Sequence, residues 1–178
     1  EGRKHQLLAL IRNWKAARGT VERADGQGPR GFQSEREQAR QYILNGWYLY
    51  RDAGSDIILL EESFNQFQLC RQELAPVLDA NPGEQDASAV SGTAAFMAAR
   101  ILRRTGTQDE SVRYRRALDI LDESEAFLSR VGQDAWDRSM PLANYSDFRS
   151  PEEVLAQIGA LRITLERMLG FSGGTDND

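Results

Sequence analysis

Apolar residues step by three and four along most of this chain, and strict apolar–polar alternation bounded by turn pairs is absent. That spacing predicts amphipathic helices rather than strands, so the expected fold class is all-α. Leu7, Leu10, Ile11, Trp14, Ala17 and Val21 mark a first helix over about residues 2–23, followed by the Gly/Pro-rich stretch Asp25–Gly31. From Ser34 the series Ala39, Ile43, Gly46, Tyr50, Ala53, Ile57, Leu60, Phe64, Phe67 and Leu74 keeps a nearly strict four–three alternation. It crosses Gly54-Ser55 without losing phase. The expectation is one long helix from 34 to about 75, over about 60 Å at the usual rise per residue. The alternative is two helices broken at Gly54, because glycine costs about 1 kcal/mol in a helix interior. Pro76 is expected to end or kink this helix, with Asn81-Pro82-Gly83 as the firm stop.

Three further helices are expected at about 86–105, 108–131 and 151–169. The first is rich in small residues, among them Ala87, Ser88, Ser91, Gly92, Ala94 and Ala95, which suits a crowded position. Their punctuation is explicit. Ser34–Glu37, Thr107–Glu110 and Ser150–Glu153 read as capping boxes, the last with Pro151 at the first helical position. Gly106, Gly132 and Gly170 are placed to stop helices with left-handed caps. Residues 133–149 read as irregular or as one short turn around Trp136. The resulting architecture is an antiparallel bundle of about five helices around one long central helix. It is expected as a single domain over 1–171 with a frayed tail at 172–178. No second copy of any segment recurs at a fixed period, so a helical-repeat array is not expected.

The chain has 178 residues, a length that fits one domain. No apolar run is long enough to span a membrane, and Cys70, the only cysteine, rules out an internal disulfide. Cys70 lies near the stripe of Phe67 and Leu74 and reads as a small buried hydrophobe. The first residue is Glu1 rather than Met, which suggests that a longer protein was trimmed or processed.

Composition removes many chemistries. His5 is the single histidine and lies near the start, so di-iron Glu-x-x-His sites, Cys/His zinc sites, histidine-ligated haem and serine or cysteine triads lack their parts. A Gly-rich phosphate loop followed by Lys-Ser/Thr is missing as well. No cofactor is implied. An all-carboxylate Mg²⁺ site remains as an alternative, with Glu61 and Glu62 on the long helix and Asp119 and Asp122 sharing one face of the helix at 108–131. The plainer reading of these acids is a solvated face.

Charge is segregated. Residues 100–116 hold six arginines (Arg100, Arg103, Arg104, Arg113, Arg115 and Arg116) against two acids, inside a chain of net charge −5. Arginine forks suit phosphate and carboxylate, so an anion-binding or regulatory nucleic-acid site is an alternative function there. The plainer reading is that these cations complement acidic helix faces and the helix dipole. The acidic balance disfavours nucleic acid as a partner.

The most informative segments are Gly46-Trp47-Tyr48-Leu49-Tyr50 and Ile57-Ile58-Leu59-Leu60. Consecutive apolar residues wrap around a helix, so one stripe cannot bury them all. Either the helix is central or a second face meets another chain. Trp47, Tyr48 and Tyr50, each with a wide apolar body and a polar tip, are the candidate interaction surface. The expected function is a non-enzymatic protein–protein interaction or scaffold domain. Its partner would be another protein or a second copy of itself. The expected location is cytoplasmic, or the soluble part of a larger or membrane-tethered protein that meets the membrane only through a segment outside this chain. An Mg-dependent helical nucleotide hydrolase is the last alternative.

Overall fold

A computed structural model describes residues 32–105 and 109–170. Among these residues the protein is all-helical: α1 Gln33–Ala53, α2 Ile57–Ala80, α3 Gln85–Leu102, α4 Glu110–Leu128, α5 Gln133–Ser139 and α6 Pro151–Met168, with a 3₁₀ turn at Ser146–Phe148 and no strand. The expected helix at 2–23, the stretch Asp25–Gly31 and the tail from Ser172 lie outside the described residues.

The long helix expected from 34 to about 75 is two helices. α1 stops at Ala53 because Gly54 takes φ 53° and ψ −108°, a backbone state that ordinary side chains rarely adopt. Asp56 then starts a new helix, its carboxylate accepting from the amides of Ile58 at 3.0 Å and Leu59 at 3.2 Å. The chain folds back, so that Ser63 of α2 donates to the Gly46 carbonyl of α1 at 2.7 Å. The apolar phase survives the break because both helices turn their stripes towards each other. α2 runs through Pro76 to Ala80, so the proline sits inside the helix, forfeiting one amide bond without ending it.

The central element is α3 rather than the expected long helix. Every residue from Ala87 to Ala99 is buried, and α3 touches each of the other described helices. Its small side chains make this geometry feasible. At Gly92 an added Cβ would come within 2.8 Å of Leu128 on α4, so only glycine lets the two helices approach this closely. The buried apolar side chains, from Ala39 to Leu165, form a single cluster.

The expected starts are met unevenly. Ser150 caps α6 by accepting from the Glu153 amide at 3.2 Å, and the Glu153 carboxylate takes the amide of Arg149 rather than that of Ser150. α1 instead begins after Phe32 without a side-chain cap, while Ser34 accepts from Gln38. Thr107 and Gly106 lie outside the described residues, and Asp109 caps α4 by accepting from the Ser111 amide at 2.8 Å. Gly170 has the expected positive φ of 75°, whereas Gly132 is the extended residue that precedes α5. The segment expected to hold at most one short turn contains α5, fastened where the Trp136 indole donates to the Phe148 carbonyl at 2.9 Å. No described helix is long and apolar enough to cross a membrane.

Candidate functional site

Of the three aromatic candidates, Trp47 and Tyr50 stack at 6.1 Å on one face of α1 and Tyr48 lies beside it, and they meet different fates. Trp47 is 7% exposed. Its ring packs edge-on to Phe148 at 5.0 Å and Tyr145 at 5.4 Å, both contributed by the segment before α6. Its area therefore goes largely to internal packing. Tyr48 is half-buried, accepts a 3.2 Å hydrogen bond from the Tyr145 hydroxyl and lies under the Arg51 guanidinium at 5.2 Å. That hydrogen bond, together with burial, raises the Tyr145 pKa above its ordinary value. Tyr50 is also half-buried and carries two guanidiniums over its ring, Arg100 at 5.3 Å and Arg104 at 5.7 Å.

The neighbouring turn supplies an apolar surface. Ile57 and Ile58 open α2 and are 58% and 59% exposed, while the next two residues, Leu59 and Leu60, are buried. Four consecutive apolar residues span roughly a full turn, and the half facing away from α1 has nothing to cover it among the described residues. Arg104 reaches both the Tyr50 ring and the Gly54 carbonyl, which ties Tyr50 to this turn.

The six arginines do not form one site. Arg113 is buried and fastens the end of α3, donating to the Thr105 carbonyl at 2.8 Å and the Leu102 carbonyl at 3.3 Å, with Glu110 at 3.7 Å. Arg116 lies over the Phe64 ring at 5.7 Å, and Arg115 is exposed. Arg104 holds the α1–α2 turn. Arg100 and Arg103 remain together on a groove of about 240 Å³ between α3 and α6.

The four carboxylates behave separately too. Asp122 and Glu125 both pair with Arg162 of α6, at 2.5 and 2.7 Å. Glu62 accepts from Gln66 at 2.8 Å, and Glu61 and Asp119 are exposed. Among the described residues no three Asp, Glu, His or Cys side chains gather closely enough to hold a metal ion. Cys70 is fully buried, and burial raises its thiol pKa far above the ordinary range.

Tyr145 and Phe148 join the aromatic residues of α1 from about 100 residues along the chain, Gln157 of α6 lines the groove of Arg100 and Arg103, and no local pattern announces any of them. The exposed isoleucines did carry a signal, because their apolar run was too wide for one stripe. No known family model matches the chain, and comparisons with curated proteins and with solved structures find no significant match.

Proposed function

We propose that this chain is a non-enzymatic helical module that works by docking another protein chain, a second copy of itself included, on the turn between α1 and α2. Its helices pack as an antiparallel bundle in this reading, and the bundle acts as a scaffold for that turn. The observation that carries the reading is the pair Ile57 and Ile58, more than half exposed beside a core that already holds Leu59 and Leu60. Tyr50, half-buried, is joined to this turn through Arg104, which lies over its ring, reaches the Gly54 carbonyl and supplies a polar edge. Burying both isoleucines against a partner would contribute roughly 3 kcal/mol, a useful share of a specific contact. A cytoplasmic location, or a place within a larger or membrane-tethered protein, belongs to the same reading.

The test is sedimentation velocity over a wide concentration range with the wild-type chain and with Ile57→Glu/Ile58→Glu. Reversible association is expected in the wild type and should disappear in the double variant with no change in thermal midpoint, because both positions are exposed. A wild-type chain that stays monomeric at every concentration counts against self-docking. Association that persists in the variant removes the isoleucine turn from the contact.

A further inference from the structure

Six arginines in the described structure, Arg36, Arg51, Arg71, Arg113, Arg138 and Arg162, each have a carboxylate within ion-pair distance. Arg100 and Arg103 are among the described arginines that have none, and these two line the groove between α3 and α6. Phe96 and Leu161 give this groove an apolar floor, and Gln157 and Thr164 stand on the wall opposite the arginines. Gln157 is fixed there by donating to the Asp147 carbonyl at 2.8 Å. Arg100 is held over two ring faces, Tyr50 at 5.3 Å and Phe96 at 5.6 Å, so its guanidinium is ordered without any ion pair. One of its terminal nitrogens, Nη1, is shielded from solvent and meets no acceptor. A shielded cationic N–H without an acceptor is costly, and a small swing of the guanidinium towards an anion in the groove would relieve that cost.

Both arginines also lie near the C-terminal end of α3, where positive charge complements the helix dipole. That role needs neither a groove nor the absence of every carboxylate. The space, about 240 Å³, is far more than a single water needs. Two guanidinium forks carry two positive charges, and a phosphate monoester carries close to two negative ones near neutral pH. We infer that the groove between α3 and α6 binds a small phosphate monoester, with Arg100 and Arg103 clasping the phosphoryl group and the organic part resting on Phe96 and Leu161. This inference does not rest on docking at the α1–α2 turn, whose isoleucines take no part in the groove.

The probe is phenyl phosphate, titrated calorimetrically into the full chain at constant ionic strength, with benzoate as the single-charge comparison. Saturable one-to-one binding is expected. Arg103→Gln should weaken it about tenfold or more, the loss of a charge-assisted contact. Arg115→Gln, at an exposed arginine away from the groove, should leave it unchanged, and thermal midpoints of both variants would verify that they fold. The inference is overturned by the absence of saturable binding at millimolar phenyl phosphate. Equal weakening in the two variants, or benzoate binding as tightly as phenyl phosphate, overturns it as well.

Discussion

The Ser124 hydroxyl of α4 donates a 2.7 Å hydrogen bond to the main-chain carbonyl of Gly92 on α3. Ser63 of α2 makes the same 2.7 Å bond to the carbonyl of Gly46 on α1. In each pair the residue four positions after the serine, Leu128 or Phe67, covers the glycine, and an added Cβ would lie 2.8 or 2.9 Å from it. Glycine thus sets the approach of both helix pairs, and serine joins them across a dry contact. Gly92→Ala should destabilise the fold by about 1–3 kcal/mol through overpacking, read as a shift in the urea midpoint. Leu128→Ala combined with Gly92→Ala should recover part of the clash while adding a cavity, so the two effects should not be additive.

Gly54 tests a different mechanism. No atom lies within 4 Å of where its Cβ would be, so sterics with neighbours are not at issue. Its φ of 53° with ψ of −108° is the constraint. We expect Gly54→Ala to cost about 1–3 kcal/mol from backbone strain alone. Gly159 also has no atom within 4 Å of a Cβ, but lies inside α6 without positive φ. Gly159→Ala should stabilise the fold by about 0.5–1 kcal/mol, because alanine is the better helix former. Opposite signs at two equally open glycines, measured by urea denaturation, would separate backbone strain from steric crowding.

These glycines show how far the sequence could be read. The helical class was legible because the three-and-four spacing recurs in every described α-helix long enough to display it. Ser150 and Gly170 bracketed α6 because cap chemistry is local. The break at Gly54 was hidden by the same periodicity: spacing records which face is buried, not the direction in which the chain runs. Two helices that bury their stripes against each other continue one phase through a reversal. Asp56 before Ile57-Ile58-Leu59-Leu60 was the local signal that a new helix starts there. The candidate site was legible only in part. Trp47 looked available from its neighbours, but Phe148 and Tyr145, distant in sequence, cover its ring.

Cys70 should be chemically silent in the folded protein. Its side chain is fully buried, and desolvation raises the thiol pKa, with Glu73 adding to the shift and Arg71 opposing it. The reactive thiolate is therefore scarce, and no reagent reaches the sulfur without opening the bundle. Iodoacetamide labelling followed by mass spectrometry should show negligible modification in native buffer and complete modification in denaturing urea. Rapid native labelling would mean that the packing around α2 opens far more readily than its burial implies.

Asp109 gives the fold a defined acid sensitivity. Hydrogen bonds from the Ser111 side chain, the Ser111 amide and the Val112 amide lower its pKa below the ordinary 3.8, because they favour the charged carboxylate. Linkage fixes the sign. A carboxyl group with a lower pKa in the folded state adds stability that is fully present above its unfolded value, and this is lost as pH falls through the folded value. Asp109→Ala should therefore lower the thermal midpoint at neutral pH. The gap from wild type should close as pH falls from above 3.8 to below the folded pKa. The other carboxylates titrate in both proteins, so the difference between the two curves isolates the cap at the start of α4. A gap that stays constant across this range would mean that the cap acts through its shape and hydrogen-bond count rather than its charge.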